Sequence, residues 1–459
     1  MHTEFTPQQI REILSPLFKK YSFVRAFVES SAGEVLTVNN KQVRAEPVER
    51  KRGITISILH RGVFYEASSP LTTKRDIEKL VKGLSESIEK YRYAGNTPAL
   101  SEQEEIEKHF ESKQGEDYSF ERKIKTAKEI LKQLEELDDR ITLAQVRYKR
   151  LLQEEMYISE KKTLSQKISR FEAIFIAVLS DKGHSAQIYD GYAMHGGWEN
   201  MVPPEKMLKN MIADGVKILY AKRLDPGIYD CIFDPSMAGI LAHEAFGHGT
   251  EGDTMAKGRA KGTQYLGKEV ASPLVKLYDN PALENVAASY FFDHEGQLAS
   301  ETRIVENGIL QKPMTDFRSA NVLNVSRTAN GRREAYDHKV YTRMSNTYFC
   351  AGNDKLEEMI QSIDDGFLVS RATNGMEDPL GWGIQLEALM ATRIKDGKLT
   401  DEVYSPVIVT GYVPDILKSI SMVSDTMEIN GLGMCGKGHK EWVKVTDGGP
   451  YLKLRVRLA

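Results

Sequence analysis

The run His243-Glu244-Ala245-Phe246-Gly247-His248 carries the residue types of a metal-dependent hydrolase. Neutral imidazoles bind Zn²⁺, and a carboxylate beside the first of them can take the proton of an attacking water. Such histidines usually stand four residues apart, within about 40° of one another around an α-helix. Here they stand five apart. On a regular helix that separates them by about 140°, too far for one ion. A shared ion therefore demands a distorted helix. One π-type turn would return residues i and i+5 to nearly one face; unwinding at Gly247 is the other route. Glycine at 247 and 249 eases either distortion. The spacing alone leaves a second reading open, two unrelated histidines at a helix end.

The elements around the run are arranged to present it. Tyr229 to Phe233 reads as a strand, and Asp234-Pro235-Ser236 follows. Aspartate caps the free N–H groups of a helix, and proline is tolerated at the first helical position. A helix is thus expected from Pro235 through Met237, Ile240, Leu241 and Phe246. Further on the chain is rich in glycine and short strand-like runs, as in Lys339 to Tyr348, Val403 to Tyr412 and Tyr451 to Leu458.

The first half mixes both element types. Ile10, Ile13, Leu14 and Leu17 fall at helical spacing, as do Ile77, Leu80, Val81, Leu84 and Ile88 within Thr72 to Tyr91. Phe23 to Val38 and Ile54 to Tyr65 read as strands, and alternation from Ile141 to Ile188 predicts antiparallel strands. Tyr118 to Leu137 and Pro203 to Ala213 read as helices, and the glutamate-rich stretch Ser101 to Ser112 as a solvated helix face. Leu224-Asp225-Pro226-Gly227 is a strong turn signal. The expected fold class is α+β in two domains: a mixed α/β domain over 1–224, and a β-rich domain over 225–459 that carries the helix with the two histidines.

The chain has 459 residues, a length that usually exceeds one core. Its 62 basic and 65 acidic residues leave a net charge of -3, so no basic surplus supports nucleic-acid binding. No apolar run is long enough to span a bilayer. The opening residues lack the charged start and apolar core of a signal peptide, so the expectation is a soluble cytoplasmic protein without membrane contact. Three cysteines, Cys231, Cys350 and Cys435, argue against a disulfide framework. Each is expected to be buried or a ligand.

The run from His243 to Asp253 (HEAFGHGTEGD) resembles the HExxxH signature of the TldD subunit in the TldD/TldE (PmbA) family, also called modulators of DNA gyrase. Asn330-Gly331-Arg332-Arg333-Glu334, Arg343-Met344-Ser345-Asn346-Thr347-Tyr348 and Gly433-Met434-Cys435-Gly436-Lys437-Gly438 match further family segments. The resemblance covers the second half and, more loosely, the first. It implies zinc held by His243, His248 and Cys435, with Glu244 as general base. Three protein ligands leave a fourth position for water, as in a catalytic site. Gly431, Gly433, Gly436 and Gly438 would let the cysteine loop approach a helix closely. Cys231 and Cys350 read as small buried hydrophobes. The resemblance also implies cleavage of unfolded or extended peptides. The working unit would be a dimer, with itself or with a TldE-like companion.

Further roles follow from position. The family continues the cysteine loop with glycine and glutamine, whereas this chain has His439-Lys440. His439 is either a surface residue or a neighbour of the metal. Glu251 and Asp253 would orient the ligand histidines, or cap a loop. Arg343 and Asn346 would orient an extended peptide by strand addition, or satisfy local backbone groups. Three functions compete: a zinc peptidase, a non-catalytic peptide-binding scaffold and a DNA-associated modulator. Intact Glu244 weighs against the second, and the near-neutral charge against the third.

Overall fold

Thr6 caps the first helix, α1 (Pro7–Phe18), through a reciprocal pair of hydrogen bonds with Gln9. It buries Ile10, Ile13, Leu14 and Leu17, the residues at helical spacing. The computed structural model describes residues 5–70, 73–95, 97, 102, 105–438 and 441–459. After α1 come β1 (Phe23–Asn39), β2 (Val43–His60), β3 (Val63–Pro70), α2 (Lys74–Lys90), β4 (Ile106–Glu111) and α3 (Phe120–Glu135). Then follow β5 (Ile141–Ser159), β6 (Lys162–Asp181), β7 (His184–His195) and α4 (Met207–Leu219). The seven strands form one sheet in the order β3-β2-β1-β5-β6-β4, with β7 also on β6. Helices α1 and α2 share a core with β1 and β2, whereas α3 and α4 share one with β5, β6 and β7.

The differences from the sequence pattern have local causes. Ile54 to Tyr65 is a strand interrupted by a hairpin turn, where Arg61 and Gly62 take positive φ (51° and 73°). Ile106 to Glu111 is an edge strand parallel to β6, not a helix face. Only Ile106 and Phe110 pack inward there, beside Tyr157, Leu164 and Phe292. Residues four apart lie on one face of either element, so spacing alone did not separate the two. The helix expected at Pro203 starts later, at Met207, beyond two prolines.

The second sheet begins with β8 (Gly227–Phe233) and has eleven strands. The strand Thr446–Leu458 pairs with β8 and with Val407–Tyr412. The latter pairs with Gly383–Lys395, which pairs with Asp365–Glu377, which returns to β8. These five strands close on themselves into a barrel. Helix α5 (Pro235–Ala242) packs against strands Thr446–Leu458, Asp365–Glu377 and Asn346–Phe349. Small residues make that approach possible. A Cβ on Gly239 would lie 2.8 Å from the Gly448 nitrogen, and one on Gly449 2.9 Å from Ala238 Cβ.

The first sheet is tied by buried charge to the loop that precedes Thr302–Glu306. Arg25 on β1 pairs with Glu295 at 2.8 Å, and each side chain is only 6% exposed. Burial raises the cost of either ion alone far above that of a surface charge. Glu295 keeps Arg327 at 3.6 Å and the Phe317 N–H, so Arg25→Met should lower unfolding free energy by about 1–3 kcal/mol in urea melts. Arg44→Met, which breaks the exposed Arg44–Glu46 pair, should cost less than about 1 kcal/mol.

Candidate metal centre

Asp234 starts α5 by accepting a hydrogen bond from the Met237 N–H at 2.9 Å, with Pro235 at the first helical position. The regular helix ends at Ala242. From His243 to Gly247 the chain makes a π turn, and the His248 N–H donates to the His243 carbonyl, five residues back. The two imidazoles then lie with ring centroids 5.0 Å apart and planes at 86°. A five-residue spacing thus reaches one face by the extra residue in the turn. Gly247 is not there for flexibility: its φ and ψ, -65° and -69°, suit any residue. Its missing side chain matters, because a Cβ would sit 2.2 Å from Met344 Sδ. Gly375 has a similar role opposite the glutamate, where a Cβ would lie 2.6 Å from Glu244 Cγ.

Cys435 arrives on a short hairpin, Met434–Cys435 paired with Val443–Lys444. Its Sγ lies 3.3 Å from His248 Nε2. One donor atom from each of His243, His248 and Cys435 lies within 4.8 Å of the other two. Burial pushes the Cys435 thiol up, but the two imidazoles outweigh it and bring the thiol down to about 4. Burial lowers His243 and His248, yet the neighbouring thiolate raises both on balance. The donors fit a zinc ion: imidazole nitrogen and thiolate sulfur are both zinc ligands, and three protein ligands leave the fourth position open. His243 Nδ1 is buried and has no hydrogen-bond partner among the described residues, an orphan of the kind that a ligand or ion would satisfy.

The other residues divide plainly. Glu251 accepts from His248 Nδ1 at 3.2 Å and is 2% exposed. Burial pushes its carboxyl up, but Lys437, His248 and Arg343 together hold it far below the usual range. Asp253 bonds Lys437 and lies 3.4 Å from Lys257, and no described histidine is among its partners. Arg343 is 1% exposed and donates to the carbonyls of Cys435, at 2.8 Å, and Glu441. Asn346 is fully buried and donates to the Asn280 carbonyl and Ser289 Oγ. Both thus satisfy buried groups of the chain itself, the alternative to orienting a peptide that the sequence left open. His439 lies outside the described residues. Cys231 is fully buried, whereas Cys350 is only half-buried.

Two residues went unrecognised in the sequence. Lys437, two positions after Cys435, donates to Glu251 and Asp253; a lone charge in a glycine-rich loop was its only signal. Glu377 sits beside Gly249 with both carboxylate oxygens buried and without hydrogen-bond partners among the described residues. Burial, with Glu244 and Glu251 adding to it against His248, pushes its carboxyl up to about 9. No sequence signal pointed to it. A half-buried group, Glu334, His338 and Glu441, also gathers, but Trp442 N–H and His338 already occupy its carboxylates.

A β-rich half built on a closed barrel, with two imidazoles and a thiolate gathered on a π turn, defines the structural class. The model of the PmbA/TldA metallopeptidase C-terminal domain matches residues 226–457. This chain belongs to the PmbA/TldD family. It is 34% identical over 237 residues to a metalloprotease TldD homolog of Buchnera aphidicola, covering 51% of this chain and 49% of that one. The chain thus spans about half the length of that relative. A metalloprotease of Methanocaldococcus jannaschii is 26% identical over 439 residues, 92% of this chain and 94% of that one. A zinc metalloprotease TldD homolog of Saccharolobus solfataricus is 28% identical over 230 residues, 50% of this chain and 51% of that one. TldE from Thermococcus kodakarensis shares the fold, with a TM-score of 0.77, 16% identity and coverage of 98% and 100%.

The contact with Met344 makes a direct test. Gly247→Ala should destabilise the protein by about 1–3 kcal/mol through overpacking, seen as a lower melting temperature. Met344→Ala in the same chain should recover part of that loss, because it removes the sulfur the new methyl meets.

Proposed function

We propose that this chain is a zinc-dependent peptidase in which His243, His248 and Cys435 hold the ion and Glu244 is the general base. The observation that carries the reading is the meeting of two imidazoles from one turn with a thiol from a remote hairpin, with Glu244 on the same turn as the imidazoles. The Saccharolobus relative's name supports zinc as the ion. When bound, zinc supplies a Lewis acid that polarises the scissile carbonyl and acidifies water to a pKa near about 7. Glu244 takes the proton of the attacking water and returns it to the leaving amine as the C–N bond breaks. Its carboxylate is 8% exposed and walled by Gly375, so bulk water is largely excluded from that proton transfer. Glu251 accepts from His248 Nδ1 and so directs Nε2 towards Cys435 and the ion.

The substrates proposed are unfolded or extended peptides, and the setting is the cytoplasm. Among the described residues no helix is long and apolar enough to cross a membrane. A dimeric working unit, with a second copy or a TldE-like companion, is part of the same reading. It rests on the family resemblance and on the fold shared with TldE. Sedimentation of the chain, alone and with such a companion co-expressed, should give a dimer in at least one case; monomers in both would remove it.

Glu244→Gln separates binding from chemistry. Glutamine keeps the shape but cannot accept the proton. Elemental analysis should find one zinc per chain in wild type and in Glu244→Gln, and a strongly reduced content in Cys435→Ser. Cleavage of an unstructured peptide by Glu244→Gln should fall about a hundred- to ten-thousand-fold. Equal cleavage at equal zinc content would remove Glu244 as the base.

A further inference from the structure

We propose that Lys437 is a positioning residue that locks the cysteine loop to the His248 imidazole. The inference rests on the zinc reading above and adds a residue that neither ligates the ion nor meets the substrate. Lys437 follows Cys435 by two positions, and its side chain is only 14% exposed. An ammonium has three donors, and all three are used. They go to Glu251 Oε2 at 2.9 Å, to the Thr342 carbonyl at 3.1 Å and to Asp253. The same Glu251 oxygen accepts from His248 Nδ1 at 3.2 Å, and His248 Nε2 faces Cys435 Sγ at 3.3 Å. The path from thiol to backbone, ammonium, carboxylate, imidazole and back to the thiol is therefore closed.

Each link fixes one degree of freedom of the centre. Glu251 sets the ring orientation and tautomer of His248. Lys437 holds Glu251 in place from the loop that also carries the thiol, so loop and ring cannot move independently. Arg343 braces the same carboxylate from the other side, with Nε 3.4 Å from Glu251 Oε1 and a hydrogen bond to the Cys435 carbonyl. Arg343 is anchored on backbone carbonyls, whereas Lys437 reaches the loop through its own backbone. Without the ammonium, Glu251 and Asp253 are two buried carboxylates with one cation fewer between them. Asp253 keeps Lys257 at 3.4 Å, and Glu251 keeps only the longer Arg343 contact besides His248. The loop that carries Cys435 then keeps Arg343 on the Cys435 carbonyl but loses its own tie to the carboxylate that orients His248.

A lysine needed only for folding would lower the stability of the metal-free protein and leave metal affinity alone. The test therefore measures affinity and geometry. Zinc affinity is read by competition with a chromophoric chelator. Cobalt is substituted for zinc, and the thiolate-to-cobalt charge-transfer band reports whether Cys435 is bound. Lys437→Met should bind zinc about tenfold to a hundredfold more weakly and lose most of that band. Glu251→Gln should do the same. The double variant should lose little more than either alone, because both break one path. Unchanged affinity and band in folded Lys437→Met, or additive losses in the double variant, would overturn the proposal. Should Lys437→Met not fold, Glu251→Gln alone carries the test, and unchanged affinity there overturns it equally. Absence of the band in wild type would instead strike at the zinc reading itself.

Discussion

Two histidines five residues apart share a face only where the helix takes in an extra residue, and everything near the centre is shaped by that requirement. A π turn is wider than an α turn and packs less well by itself. Here it is held from every side. Met344 fills the space that a side chain at 247 would need. Thr250 Oγ donates back to the Phe246 carbonyl inside the distorted stretch. Phe246 meets Trp382 edge to face at 5.4 Å between ring centres. Helix α5 is itself fixed against the barrel strands through Gly239, Gly448 and Gly449. The distortion persists because its surroundings over-determine it.

Charge supplies the second frame. Glu251, Lys437, Arg343 and Asp253 are all largely buried, and each carboxylate has a cation within reach. Behind them Asp279 is wholly buried and accepts from Ser345 N–H and Oγ, Thr347 Oγ and Asn330 Nδ2. Isolated buried ions are costly, whereas ions in satisfied networks rigidify a single arrangement. In the segments Asn330 to Glu334 and Arg343 to Tyr348, Asn330, Arg343, Ser345 and Thr347 serve this network, whereas Arg332, Arg333 and Glu334 line a cavity beside Glu29 and Lys444.

Much of this was legible in the residues. The spacing of His243 and His248 required a distorted helix, and Asp234-Pro235 marked where that helix begins. Ile10 to Leu17 and Ile77 to Ile88 declared their helices through period alone. What the pattern did not carry was partnership across the fold. Arg343 and Asn346 are polar residues in a segment of chemical interest, and only the packing shows that they donate to buried groups of the chain itself. Glu377 reaches the centre because a hairpin more than a hundred residues downstream folds over it, which no local pattern encodes. At Ile106 to Glu111 the apolar spacing fitted two element types, and the pairing with β6 decided between them.

The strand that closes the barrel lies far downstream of the strand it meets. Residues Thr446–Leu458 pair with β8, far upstream, and Cys435 precedes them by only a short stretch. During synthesis the histidines emerge long before the thiol and before the strand that seats their helix. Contacts of such long sequence separation form slowly, after the loop-closure entropy has been overcome. A nascent chain that has not yet reached this strand therefore holds the two histidines on an unsupported helix, without the thiol. The two imidazoles and the thiol come together only after both distant segments have been made and the barrel has closed.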